Sequence, residues 1–208
     1  MKLQLALDSF NNIEDAKALV AEVIDLVDIL EVGTPFILQH GITVVEQFKK
    51  AYPDTIVLAD LKIIDAGALE AGLAFEAGAD IVTILGVAHN TTIQNALDVA
   101  RKQGKQVMVD FISVPDVRRR ALEMDAMGIA YLCVHTAHDV HKLENPLENL
   151  HSVQSLSVKA QIAVAGGINP GTLSQLAPYQ PDILVIGSFI TGSRNWRRAA
   201  LEIRQLLG

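Results

Sequence analysis

Several acidic side chains in this 208-residue sequence fall at the ends of apolar runs, where burial is costly without a partner or a task. The densest group is Asp60-Leu61-Lys62-Ile63-Ile64-Asp65-Ala66-Gly67, which follows the β-branched run Thr55-Ile56-Val57-Leu58-Ala59. Alternate side chains of a strand share a face, so Asp60 and Lys62 are expected to point the same way. Asp65 comes where the chain should have left the strand. A structural reading pairs Asp60 with Lys62 and gives Asp65 the cap of the next helix. A chemical reading sets Asp60 beside Glu31, near the end of Ile29-Leu30-Glu31-Val32-Gly33, as a site for a hard cation. Two carboxylates plus substrate oxygens and waters suit Mg²⁺, which rarely receives a full protein cage. His135, His138 and His141 raise zinc as an alternative, but their spacing is not the HxxxH of a helical zinc site.

The elements that must position these groups recur with nearly regular spacing. Apolar runs predict strands at Leu3–Asp8, Val27–Gly33, Thr55–Lys62, Ile81–Gly86, Gln106–Ile112, Tyr131–Thr136, Ile162–Gly167 and Ile183–Ser188. Helical periodicity lies between them, for example at Ile13–Val23, Thr43–Ala51, Ala68–Ala77, Thr91–Gln103, Val117–Met127 and Asn195–Leu207. Gly78 and Gly128 read as helix stops before the next strand. Alternating strand and helix implies parallel strands, and eight units in this length predict one α/β domain over 1–208, a compact (β/α)8 TIM barrel. An open doubly wound sheet is the alternative, but Asp8-Ser9-Phe10-Asn11-Asn12 offers no GxGxxG after the first strand. The longest irregular piece is Ala137–Pro146, a length at which loops are often functional.

In such a barrel the site lies at the carboxyl ends of the strands. Asp8, Glu31, Asp60 with Lys62, Asp110 and His135 all fall there, on five different strands. Each alone admits a mundane explanation as a turn former, an ion pair or a core histidine; their convergence on one rim argues for a site. Ala165-Gly166-Gly167-Ile168 and Ile186-Gly187-Ser188 bring bare backbone to the same rim after strands seven and eight. Glycine amides in those two loops are a usual place for phosphate in these barrels.

Composition bounds the partners. Half the residues are hydrophobic and a fifth are charged, as in a folded globular protein. A net charge of −7 disfavours non-specific nucleic-acid binding. The single cysteine, Cys133, allows no internal disulfide and suits a reducing cytosol. The opening Met1–Asp8 lacks the long apolar core of a signal peptide, and no apolar run reaches a membrane span. The expectation is a cytoplasmic protein without membrane or nucleic-acid partners.

Leu5-Ala6-Leu7-Asp8, Ile29–Pro35, Leu58–Gly67 and Val134-His135-Thr136-Ala137-His138-Asp139 resemble the orotidine-phosphate decarboxylase suprafamily. Within it they resemble the branch containing 3-hexulose-6-phosphate synthase and 3-keto-L-gulonate-6-phosphate decarboxylase. The likeness spans essentially the whole chain, and the D-x-K-x-x-D motif in its strand context is specific. It implies a dimeric Mg²⁺ enzyme that makes a 1,2-enediolate from a ketose phosphate. By the same resemblance Glu31 and Asp60 would hold Mg²⁺, and Lys62 would donate to the developing oxyanion. Asp65 would reach across the homodimer into the partner's site. Asp8 would bind a substrate hydroxyl, His135 would transfer a proton, and Gly167 and Gly187 would offer amides to the phosphate.

Two chemistries share that intermediate. A synthase adds the enediolate of ribulose 5-phosphate to formaldehyde; a decarboxylase forms it by losing CO₂ from 3-keto-L-gulonate 6-phosphate. Asp110, where decarboxylases tend to carry Glu, and Ala165, where they tend to carry Thr, resemble the synthase. His138 takes the place of a decarboxylase Arg and fits neither pattern well. Ser188 replaces a phosphate-binding Arg, for which Arg194 or Arg197 is a candidate substitute. The expectation is therefore an aldol-type carbon–carbon lyase or synthase, with the decarboxylase as alternative. A non-catalytic sugar-phosphate sensor stands third, disfavoured by the complete Asp60/Lys62/Asp65 set.

Overall fold

The computed structural model describes residues 1–140 and 146–207. Its elements run β1 (Lys2–Leu7), α1 (Ile13–Val23), β2 (Ile29–Val32), α2 (Thr34–His40), α3 (Thr43–Ala51), β3 (Ile56–Ile63), α4 (Gly67–Glu76) and β4 (Ile81–Leu85). They continue α5 (Asn90–Lys102), β5 (Gln106–Asp110), α6 (Val117–Met127), β6 (Tyr131–His135), α7 (Pro146–Gln154) and β7 (Gln161–Ala165). The chain closes with α8 (Pro170–Leu176), β8 (Ile183–Ile186), α9 (Ser188–Thr191) and α10 (Trp196–Leu207). All eight strands pair in parallel and in chain order, and β8 returns to β1, so the sheet is a closed (β/α)8 barrel as expected.

Strand alternation divides each strand between two cores. One set of side chains packs outward against the helices, such as Leu3, Leu5, Leu30, Val57 and Leu184, all fully buried. The other set fills the barrel interior with Ala6, Ile29, Leu58, Met108, Cys133 and Ala163. Two residues further along most strands the interior position turns polar: Asp8 after Ala6, Glu31 after Ile29, Asp60 after Leu58, Thr83 after Ile81, Asp110 after Met108, His135 after Cys133. The alternation that builds the core thus also aims the polar groups at one mouth.

The opposite mouth is tied by a repeated device. Asp28, Asp80 and Asp182 each stand immediately before a strand and accept from a backbone N–H of the preceding strand in the barrel: Leu3 at 2.8 Å, Val57 at 3.0 Å and Ile162 at 2.7 Å. Asp80 also takes Lys49 and Lys105, each at 2.8 Å.

The observed strands end earlier than expected at their carboxyl ends, except β3. β5 stops at Asp110 because its Oδ1 accepts the N–H of Ile112 at 2.8 Å, which turns the chain. β7 stops at Ala165 because Gly166 and Gly167 take φ of 103° and 65°. Gly78 and Gly128 end their helices at φ 93° and 80°, as read from the sequence. Helices α2, α7, α8 and α9 are not among the segments named from periodicity, although eight strand–helix units imply a helix after β6 and after β7. Three of them are seven residues or shorter and α7 begins at proline beside the irregular piece, which leaves little periodicity to read. Of the expected irregular piece, 137–140 is turn or coil, Pro146 opens α7, and 141–145, with His141, lies outside the described residues.

Candidate active site

Gln4, Glu31, Asp60, Thr83, Asp110 and Thr136 are buried polar residues, and the first five line the barrel interior. A buried carboxylate survives only with partners, and Asp60 has several. Its Oδ1 accepts from Thr83 at 2.6 Å, and its Oδ2 accepts from Thr34 at 2.8 Å and is ion-paired with Lys62. Burial pushes the Asp60 carboxyl up, but Lys62, Thr83 and Thr34 together bring it below its ordinary value. Burial works equally against the Lys62 ammonium, and Asp60 and Asp110 outweigh it, holding the lysine charged.

Asp60 and Lys62 do meet, although not by plain strand alternation. Lys62 has a left-handed backbone, φ 49°, and the β3–β4 register shifts between Ala59 and Ile63. Thr83 anchors this bulge by accepting the Lys62 N–H at 2.9 Å. Bulges of this kind re-aim side chains beside functional sites.

Glu31 is in the opposite electrostatic state. Burial first, then the charges of Asp60 and Asp8, push its carboxyl well above the ordinary range, and only Gln4, donating to Oε2 at 2.7 Å, and Lys62 oppose them. Asp8 is raised for the same reasons, burial and then Asp60. Its carboxylate sits between two glycines. A Cβ on Gly33 would fall 2.0 Å from Asp8 Oδ1, and one on Gly187 would fall 3.4 Å from Oδ2. Gly33 therefore makes room for a carboxylate that no other residue there would admit.

On the far side of the mouth, Asp110 Oδ2 lies 2.7 Å from His135 Nδ1 and 3.8 Å from Lys62 Nζ. With Nδ1 bearing the proton shared with Asp110, the lone pair of a neutral imidazole is at Nε2. One oxygen thus orients the candidate proton carrier and faces the candidate oxyanion donor. Cys133 beneath them is buried, and burial with Asp110 and Glu31 nearby keeps its thiol protonated, in accord with a packing role.

The remaining candidates are more loosely placed. Asp65 is exposed, and its Oδ1 accepts the N–H of Ala66 at 2.7 Å. The His138 side chain is 93% exposed beside Asp139, near enough to Asp8 to favour its charge. Gly166 packs on the carbonyl of Thr136, where a Cβ would approach to 2.3 Å, while Gly167 follows with its own left-handed turn. Gly187 precedes α9, whose first residue is Ser188. Arg197 is no substitute for the missing arginine at Ser188: it binds Asp25 through two bonds of 2.7 Å and the carbonyl of Glu22. Arg194 is exposed.

Among the described residues no group of three or more His, Cys, Asp or Glu side chains is arranged to hold a metal ion. Sequence reading also missed Gln4, Thr34 and Thr83. Inward parity on β1 and β4 marks the first and third; Thr34 shows only as the residue after Gly33.

A closed (β/α)8 barrel whose buried carboxylates, lysine and histidine gather at one mouth defines the class of barrel enzymes that work from that rim. The chain belongs to the orotidine 5'-phosphate decarboxylase / HUMPS family, whose model matches residues 1–203. It is 42% identical over 208 residues to the 3-hexulose-6-phosphate synthase of Bacillus subtilis (strain 168), covering all of this chain and 99% of that one. The crystal structure of 3-hexulose-6-phosphate synthase from Salmonella typhimurium superposes with a TM-score of 0.95 at 42% identity, over 100% and 98% of the two chains. A crystal structure of KGPDC from Streptococcus mutans superposes at 0.91 with 26% identity, over 99% and 96%. These relatives support the expectation of a lyase-type enzyme.

Proposed function

We propose that this protein joins ribulose 5-phosphate and formaldehyde into 3-hexulose 6-phosphate. The observation that carries the reading is the shared oxygen of Asp110, which brings a candidate acid–base and a candidate oxyanion donor to one place, His135 at 2.7 Å and Lys62 at 3.8 Å. Full-length identity of 42% to relatives named as synthases, against 26% to KGPDC, favours the synthase over the decarboxylase.

The donor set fits a magnesium ion. Glu31 and Asp60 supply hard carboxylate oxygens, and the repulsion of Glu31 by Asp60 and Asp8, which Gln4 and Lys62 only partly offset, is what a divalent cation would relieve. When bound by Glu31 and Asp60, Mg²⁺ would supply Lewis-acid stabilisation of electron-rich substrate oxygens. The chain's own groups do the rest. His135, oriented by Asp110, takes the C1 proton of ribulose 5-phosphate at its free nitrogen, leaving a 1,2-enediolate. Lys62 donates to the developing negative charge. C1 then bonds to the carbon of formaldehyde, and the alkoxide so formed recovers a proton from His135. Asp8 holds a substrate hydroxyl between Gly33 and Gly187, and the amides of Gly167, Gly187 and Ser188 face the phosphate, with His138 at the edge.

The protein acts as a cytoplasmic homodimer in this reading, without nucleic-acid or membrane partners. Among the described residues no helix is long and apolar enough to cross a membrane. Exposed Ile64, Leu69 and Leu73 flank Asp65, at 51%, 66% and 49% exposure, and a second copy covering them would carry Asp65 into the neighbouring mouth.

The test is formaldehyde-dependent consumption of ribulose 5-phosphate with Mg²⁺, abolished by chelation. Parallel assays measure CO₂ release from 3-keto-L-gulonate 6-phosphate. A larger kcat/KM for that second substrate would overturn the synthase reading in favour of the decarboxylase.

A further inference from the structure

Gln4 is a buried polar residue of the barrel interior that the mechanism above does not use. It lies on β1, level with Ile29 of β2, one layer beneath the mouth. It is 1% exposed, its Nε2 donates to Glu31 Oε2 at 2.7 Å, and its Oε1 has no hydrogen-bond partner among the described residues. Its level neighbours on the two flanking strands are apolar, Ile29 of β2 and Val185 of β8, both part of the apolar cluster of the barrel interior. A leucine or methionine would fill that space without stranding a carbonyl. Packing therefore does not explain the amide. Its side-chain hydrogen bond does: an N–H donated to a carboxylate is among the stronger hydrogen bonds a neutral side chain makes.

We propose that Gln4 is a positioning residue, whose amide holds the Glu31 carboxylate in the orientation that, with Asp60, receives a divalent cation. The inference rests on the reading of Glu31 and Asp60 as the magnesium site. It gives each ligand its own orienting donors, Thr34 and Thr83 for Asp60 and Gln4 for Glu31. Donors of this kind set the direction of a carboxylate before the metal arrives, and their loss typically costs about 10–100-fold in metal affinity.

Mn²⁺ binding to the full-length protein, followed by the electron paramagnetic resonance of the free ion, separates this role from packing. Gln4→Met keeps the volume and removes both the donor and the stranded carbonyl. Its melting temperature in chelator should equal or exceed that of the parent, while its Kd for Mn²⁺ rises about 10–100-fold. Gln4→Leu should do the same. An unchanged Kd in a folded variant overturns the inference, and so does failure of both variants to fold, which would make Gln4 a structural residue. A parent that binds no Mn²⁺, or binds it equally well as Glu31→Gln, overturns instead the underlying site assignment.

Discussion

Lys62 is ion-paired with Asp60 from a left-handed backbone, φ 49°, where the pairing of β3 with β4 slips. That conformation costs a non-glycine residue about 1–2 kcal/mol. The bond from its N–H to Thr83 and the ion pair itself hold it there. Lys62→Ala and Lys62→Gly should both lose roughly 10²–10³ in kcat, as when an oxyanion donor is removed. The glycine variant should nevertheless unfold at higher urea, more stable than the alanine variant by about 1 kcal/mol. Equal midpoints would mean that no strain is stored at Lys62.

Asp65 makes its test through mixing. Exposed in its own chain, it serves the neighbouring site in the proposed homodimer. Asp65→Ala and Lys62→Ala should each be nearly inactive alone. Refolded together they should regain roughly a quarter of parental activity, because half the dimers then hold one intact site of two. Absence of recovery, with heterodimers verified by mass spectrometry, would confine Asp65 to its own subunit.

The Asp110–His135 pair predicts two graded losses. His135→Asn removes the proton carrier and should lower kcat by about 10²–10⁴. Asp110→Asn keeps the bulk but can present N–H to Nδ1, which favours the imidazole tautomer with its proton on Nε2 and blocks proton acceptance there. Its kcat should fall comparably while Mn²⁺ still binds. A kcat near the parent for Asp110→Asn would remove the orienting role.

At the opposite mouth, Asp80 predicts stability without activity. Burial raises its carboxyl, but Lys105, Lys49 and the Val57 N–H bring it below its ordinary 3.8. A depressed carboxylate binds fewer protons folded than unfolded, so its contribution is complete above the unfolded value and is lost as pH falls through the folded one. Asp80→Asn should therefore cost about 1–3 kcal/mol at neutral pH. It should also flatten the loss of melting temperature below about pH 4, with kcat unchanged. An acid limb identical to that of the parent would count against the linkage.

The sequence by itself determined the eight-strand barrel and the membership of its rim. Both follow from local periods: residues two apart share a strand face, so Asp8, Glu31, Asp60, Asp110 and His135 inherit the inward direction of Ala6, Ile29, Leu58, Met108 and Cys133. Only the tertiary structure decided how those groups partner one another. Thr34 and Thr83 reach Asp60 across 26 and 23 residues, and Gln4 reaches Glu31 across 27, distances set by the stagger with which the sheet closes. The same closure turns Lys62 left-handed, packs Gly33 against Asp8 and leaves Arg197 to α1 rather than to Ser188. A periodic pattern states which way a side chain faces; a bond of 2.6 Å depends on where the neighbouring strand has come to rest.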